Sequence, residues 1–269
     1  MSITGLLNSP RIEQLRAKYD DQIEMDVTDL IPSLWGTAMH YILEQGKVPG
    51  HIVEERIHAT FDGWFISGAV DLQIVTDEGI EINDYKNVGA WAVMNEKKEW
   101  EEQLNCYAWL VETAKQIPVH KLAIVAIVRD WNARDAKTRQ GYPEARGVVL
   151  PIRLWSMEER EEFIRRRIHE HSEGLFATDA NEVLPLCTPA EMWEKPTMYA
   201  VKKEGAQRAK SVHEKLEEAE EALEKAGKGY TLEIREGDRV RCSQYCPVNK
   251  FCDQYQDYLK GKANVKEPV

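Results

Sequence analysis

The chain has 269 residues, 43% apolar, 30% charged and 9% aromatic, which excludes a disordered or collagen-like polymer and leaves enough apolar material for one large or two modest globular domains. No apolar run approaches the roughly 18 residues of a membrane span, and the opening MSITGLLNSPRIEQLR lacks the basic-then-apolar layout of a signal peptide, so a cytoplasmic protein without a membrane partner is expected. The formal net charge of −11 excludes nucleic-acid binding through a broadly basic surface; much of the acidic excess lies between Glu214 and Glu224, which reads as a solvated helical face.

A short helix is expected over Pro10 to Tyr19, and a second from Ser33 to Glu44, N-capped by Ser33 and ended near Gly46. Gly36, His40 and Glu44 recur at helical spacing on one stripe of it, where a glycine permits close approach of another backbone or a ligand. His40 itself reads either as a ligand or as a satisfied histidine. Strands over Val53 to Thr60 and Trp64 to Ser67 then lead into a hairpin, SGAVDLQIVTDEGIEINDYK, which turns at Thr76-Asp77-Glu78-Gly79.

Alternation along the second arm puts Ile80, Ile82, Asp84 and Lys86 on one face, and Asp71 sits on the paired arm. Two carboxylates on rigid strands suit a hard divalent cation, and a lysine two residues from a metal ligand can polarise water or offset charge on a phosphate. That is a hydrolytic site in outline, although an aspartate near a turn and a D-x-K triplet also arise by chance. A loop with Gly89, Trp91 and Met94 follows. A helix over Glu96 to Lys115 sets Gln103 and Tyr107 one turn apart, placed to hydrogen-bond a phosphate or Lys86, or to form a polar edge of packing.

HKLAIVAIVR, residues 120–129, is suited to a buried central strand; Gly147 to Leu154 gives another, and Ser156 to His171 a helix with a capping box from Ser156 to Glu159. The order predicts an α/β sandwich around a mixed sheet of about four or five strands with the hairpin in its middle. Residues 1–180 would form this core and residues 181–269 a smaller helical lobe, with loop and short helix over Thr188 to Gly205, a long helix over Ala206 to Ala226 and a strand over Tyr230 to Ile234. Trp35, Trp64, Trp91 and Trp100 lie near the polar motifs, where they stack unpaired bases or simply pack.

Of five cysteines, Cys106 reads as a buried thiol inside the Gln103 helix. Cys187, Cys242, Cys246 and Cys252 in a cytosolic protein point to a metal or cluster site rather than disulfides. Gaps of three and five residues with a distant fourth cysteine fit a [4Fe–4S] cluster better than paired C-x₂-C zinc ligands, with Zn²⁺ as the alternative.

His40 in GTAMHYILE, Asp71 in GAVD, Asp84 and Lys86 in DYK, and Gln103 and Tyr107 in QLNCY together resemble, in order and spacing, the successive motifs of the RecB branch of the PD-(D/E)XK nucleases. The resemblance is close from Ser33 to Leu110 and extends by fold to about residue 175. It implies a restriction-endonuclease-like core in which His40, Asp71, Asp84 and the backbone carbonyl of Tyr85 ligate Mg²⁺ or Mn²⁺. Lys86 would activate the attacking water, and Gln103 and Tyr107 would contact DNA or brace Lys86. The implied reaction is in-line hydrolysis of a phosphodiester, leaving a 5′-phosphate.

The C-terminal cysteines resemble the iron–sulfur staple of CRISPR-associated and helicase–nuclease members of that branch. They depart from it in that no cysteine precedes Cys106, so Cys187 would stand in for the usual first ligand. A DNA exonuclease of recombination or end processing is expected, in a phage, CRISPR or host-repair setting, with a recombinase or single-strand-binding protein as partner. A structure-specific endonuclease of the same fold is the alternative. An inactive nucleic-acid-binding module is disfavoured by the intact His40, Asp71, Asp84 and Lys86.

Overall fold

Strands β1 (His51–Phe61) and β2 (Trp64–Thr76) are joined by Asp62-Gly63 in the computed structural model of the protein, which describes residues 1–46, 48–95 and 97–265. Asp62 (φ 46°) and Gly63 (φ 79°) both adopt left-handed backbone, the combination whose twist lets two strands pair directly across a two-residue turn, here Phe61 with Trp64. Asp77-Glu78 then turns β2 into β3 (Gly79–Val88), so the expected hairpin is present. Strand β4 (Val119–Val128) lies parallel to β3, and β5 (Gly147–Ile152) antiparallel to β4. The result is a mixed five-stranded sheet in the order β1-β2-β3-β4-β5.

Chain contacts divide the protein into two units, the first comprising Met1–Glu13 and Glu24–Pro185, the second Gln14–Ile23 and the residues from Leu186 onward. Besides the sheet, the first holds helices α1 (Ile3–Leu7), α3 (Ile31–Glu44), α4 (Ala90–Met94), α5 (Lys98–Lys115), α6 (Ala133–Thr138) and α7 (Met157–Asp179), while α2 (Pro10–Tyr19) begins in it. Helix α5 buries Leu104, Cys106, Ala108, Trp109 and Leu110 against Ile57, Ile66, Ile82, Leu122 and Ile124 of the sheet. Each such aliphatic side chain removed from water contributes about 1.5–3 kcal/mol, so this helix anchors the layer. Ile164 and Ile168 of α7 join the same core, with a buried Arg160–Glu112 ion pair at 2.9 Å linking α7 to α5.

The Ser156–Glu159 capping box forms as expected, and α7 runs on to Asp179. Helix α5 is described from Lys98; the expected start at Glu96 lies outside the described residues. Helix α3 starts earlier than expected, at Ile31, because Pro32 supplies its first turn. Ser33 is not its cap: the hydroxyl donates to the Leu30 carbonyl, 2.8 Å away. Gly36 also departs from expectation, since a Cβ there would meet nothing within 4 Å.

In the second unit, β7 (Met198–Lys203) pairs with β8 (Ser211–His213) on one side and β9 (Tyr230–Arg235) on the other, and β6 (Glu194–Lys195) pairs with β10 (Asp238–Arg239). Helices α8 (Leu216–Ala226), α9 (Val240–Gln244) and α10 (Asp253–Val265) complete it. The loop expected from Thr188 to Gly205 therefore contains a central strand, and the long helix expected from Ala206 begins only at Leu216. Charged, helix-favouring composition was outweighed here by tertiary pairing. Ala200 and Val201 of β7 are fully buried, and the backbone of β7 is paired on both edges, with Ser211 and His213 lying opposite Val201 and Tyr199 on one side and β9 on the other. No helix among the described residues is long and apolar enough to cross a membrane.

Candidate active site and metal centre

The ladder between β2 and β3 runs from Thr76–Gly79 to Leu72–Asn83 and stops, and the next residue on each strand is a carboxylate, Asp71 and Asp84. β3 remains paired to β4 as far as Val88, so it is β2 that parts from it. Asp71 closes the gap with its side chain, Oδ2 accepting the Tyr85 N–H at 2.8 Å. Opposite Asp71 on β1 lies Glu54, between the paired Val53–Leu72 and Glu55–Val70. Its backbone is left-handed (φ 49°), which interrupts the ladder and turns the side chain into the same opening.

From α3, His40 Nδ1 comes within 2.9 Å of Glu54 Oε1 and 3.7 Å of Asp71 Oδ2, and ligand atoms of His40, Glu54 and Asp71 all lie within 4.8 Å of one another. Lys86 Nζ is 2.6 Å from Asp84 Oδ2 and donates to Gln103 Oε1 at 3.1 Å, while Gln103 Nε2 donates to Tyr107 Oη at 3.1 Å. All the nuclease-motif residues singled out in the sequence thus converge, with the QLNCY pair bracing Lys86 from α5.

Burial raises Asp84, which is 2% exposed, above the ordinary carboxylate range. Asp71 is pushed up to about 7, first by burial and then by the charge of Asp84, against the opposing effects of the Tyr85 N–H and His40. Burial by itself would lower His40, but Asp71, Glu54 and Asp84 together raise it. Buried like charges next to an imidazole form a donor set whose repulsion a hard divalent cation relieves, so these residues fit Mg²⁺ or Mn²⁺.

Glu54 is the member that the sequence did not reveal. The motifs fix Asp71 and Asp84 to neighbouring arms, but only the closed β1–β2 register and the left-handed backbone turn Glu54, rather than Glu55, inward. Glu55 instead bonds Lys115 and Gln73. The four tryptophans separate: Trp64 and Trp100 pack against the core, whereas Trp35 and Trp91 are 64% and 63% exposed.

A family model of the PD-(D/E)XK nuclease superfamily matches residues 36–253. The chain belongs to that superfamily. It is accordingly a hydrolase acting on nucleic acid. Among solved structures, one described as SSO0001 is similar at 18% identity and a TM-score of 0.45, covering 63% of this chain and 75% of that one. An alkaline exonuclease (LHK-Exo) from Laribacter hongkongensis is similar at 13% identity and a TM-score of 0.35, covering 67% of this chain and 92% of that one. No curated protein matches.

Cys187, Cys242, Cys246 and Cys252 lie in the second unit and carry thiols rather than disulfides, and Cys187, Cys242 and Cys252 are buried. Gln254 clasps the distant Cys187: its Oε1 accepts the Cys187 N–H and its Nε2 donates to the Cys187 carbonyl, each at 2.9 Å, at the start of α10 beside Cys252. Asn249 likewise donates to the Cys242 carbonyl at 2.9 Å. The Cys242 thiol is pushed up to about 11 by burial and by the nearby Cys246, Cys187 and Cys252 sulfurs.

Proposed function

We propose that this protein is a Mg²⁺- or Mn²⁺-dependent deoxyribonuclease that removes nucleotides from DNA ends in recombination or end processing. The observation that carries the reading is the meeting of His40, Glu54 and Asp71 beside Asp84, whose carboxylate pairs with the Lys86 ammonium that Gln103 holds. A cation bound by those four side chains and the Tyr85 carbonyl would neutralise phosphate oxygens and make a water acidic enough to attack. Lys86 orients that water and offsets the charge that develops on the phosphate, while Gln103 and Tyr107 limit the lysine to one position. Exposed Trp35 on α3 and Trp91 just beyond β3 offer flat apolar faces to bases splayed at a frayed end, which favours ends over interior phosphates.

Digestion of end-labelled linear DNA beside closed circular DNA, with Mg²⁺, tests this reading. Loss of linear DNA alone is expected. Cutting of the closed circle would make the enzyme an endonuclease, and inert DNA of both forms would defeat the proposal. The lobe from residue 181 onward is proposed to hold a [4Fe–4S] cluster through Cys187, Cys242, Cys246 and Cys252, supported by their proximity and by the Gln254 clasp. Anaerobically purified protein should be brown and carry iron and sulfide; stoichiometric zinc in colourless protein would replace the cluster, and neither metal would remove it. A recombinase or single-strand-binding protein is the proposed partner, in the cytoplasm.

A further inference from the structure

Residues 129–146 depart from the acidic balance of the chain, carrying five basic residues, Arg129, Arg134, Lys137, Arg139 and Arg146, against Asp130, Asp135 and Glu144. All five cations are exposed. Among the described residues none of them has a carboxylate within 4.0 Å, whereas Lys115, Lys121, Arg153, Arg160, Arg165 and Arg166 of the same unit are each paired with one. Two of the three acids are already engaged: Asp130 Oδ1 caps α4 by accepting the Ala90 N–H at 2.7 Å, and Asp135 Oδ2 accepts from the Asn132 amide at 3.0 Å.

The segment is firmly built. Tyr142, 7% exposed, packs with Ala90 and Val128, and Trp131, Ala136 and Val148 pack around them. Trp131 Nε1 donates to the Pro143 carbonyl at 2.8 Å, and Tyr142 Oη donates to the Asp130 carbonyl at 3.2 Å. Its place in the fold is equally fixed. The Arg129 N–H donates to the Val88 carbonyl at 2.9 Å, and the Val128 N–H to the Arg146 carbonyl at 2.8 Å, so both arginines stand where β3 and β4 end. Lys86, paired with Ala126, is two positions back along those strands, and exposed Trp91 follows on α4 with the Lys97 ammonium 4.5 Å from its ring centre.

We infer that the α4 and 129–146 segment is the track for the DNA backbone, its cations, of which Arg139 and Arg146 have aromatic neighbours and none has a carboxylate one among the described residues, binding phosphates of the strand whose end lies at Asp71, Asp84 and Lys86. This rests on the nuclease reading above and adds where the strand runs. A chain with net charge −11 repels a polyanion at distance, so a local group of unneutralised cations on a rigid support is what binding requires. Because phosphates rather than base edges are bound, the interaction is independent of sequence and strongly dependent on salt.

The test is the triple substitution Arg134→Ala, Lys137→Ala, Arg139→Ala, with fluorescence anisotropy of a labelled oligonucleotide in Ca²⁺ across a salt series. Each phosphate that is no longer neutralised flattens the log–log salt slope by about 0.7–0.9, so a drop of about two in slope and a roughly 10- to 100-fold loss of affinity at low salt are expected. A matched double substitution on α7, Arg165→Ala with Arg166→Ala, removes cations already paired with Asp62 and Glu170 and should leave both readouts in place. Wild-type protein that hydrolyses DNA while the triple variant keeps its affinity and slope overturns the track and leaves the nuclease reading standing. An equal loss in the α7 variant also overturns it, and wild-type protein that neither binds nor hydrolyses DNA overturns both.

Discussion

Gly68, at the head of the GAVD motif, lies beneath the Tyr107 ring, and replacing it with alanine should disturb Lys86 through two intermediaries. A Cβ there would come 2.7 Å from Tyr107 Cε1, 3.0 Å from Cδ1 and 3.2 Å from Ile3 Cγ1. Carbon atoms at rest sit about 3.5–4.0 Å apart, so the ring must retreat by roughly 0.8 Å. Tyr107 is 5% exposed and has nowhere to go without moving α5 or tilting. Overpacking of this kind costs about 1–3 kcal/mol, which in a unit of this size lowers the melting temperature by about 4–8 °C at the middle of that range.

The same retreat stretches the 3.1 Å bond from Gln103 to Tyr107 and frees Gln103 from holding Lys86. Misplacement of a reacting group by about 1 Å costs up to 10²-fold in rate, so a kcat at least tenfold lower is expected, with little change in DNA affinity. Thermal melts and single-turnover digestion of a labelled oligonucleotide read the two effects. In a Tyr107→Leu background the two ring contacts are gone and only the 3.2 Å approach to Ile3 Cγ1 remains, so Gly68→Ala should then cost much less stability. Equal destabilisation in both backgrounds, or a Gly68→Ala protein with wild-type melting temperature, would refute the argument.

Asp84→Ala and Lys86→Ala should each abolish DNA cleavage while the protein stays folded and binds DNA; wild-type rates in either would remove them from the active site. His40→Ala should lose most activity at low Mn²⁺ and regain part of it at high Mn²⁺, since removing one ligand lowers affinity before it destroys geometry; a loss that no metal concentration repairs would assign His40 to folding. His171 is fully buried, its Nε2 bonded to the Leu6 carbonyl at 3.0 Å, and burial lowers it below its ordinary 6.5. The unfolded chain therefore binds the proton first, so stability is whole above pH 6.5 and falls as pH drops below it; His171→Gln should flatten that slope in denaturant melts between pH 7 and about 5. Cys246→Ser should lower the iron content and loosen residues beyond 187 to proteolysis; unchanged iron would exclude it as a ligand.

The nuclease core was legible because its signals are local. The turn ending at Gly79, the alternation on β3 and the apolar run of β4 each follow from backbone geometry over a few residues, and the motif residues sit on elements thus defined. The lobe was less legible for the opposite reason. β7 and β8 are short and carry Lys202, Lys203 and His213, and β7 is held as a strand by pairing with β8 on one side and with the distant β9 on the other. Ser33 misled because a capping residue type directly after a proline start looks like the start itself.

Glu54 lies furthest from sequence reasoning, and its backbone provides a test independent of catalysis. A residue with a Cβ in left-handed backbone is strained by about 1–2 kcal/mol, strain that glycine does not feel. In an ordinary strand position glycine is instead worse than alanine by about 0.5–1 kcal/mol. Glu54→Gly and Glu54→Ala both remove the carboxylate that bonds His40, so their difference isolates the backbone. Glycine should be the more stable of the two by about 1 kcal/mol, reversing the usual order, while both lose metal affinity alike. An alanine variant as stable as the glycine one would mean that β1 returns to regular strand once the carboxylate is gone. In that event the attraction between Glu54 and His40, rather than the chain's own path, would be what bends the strand into the site.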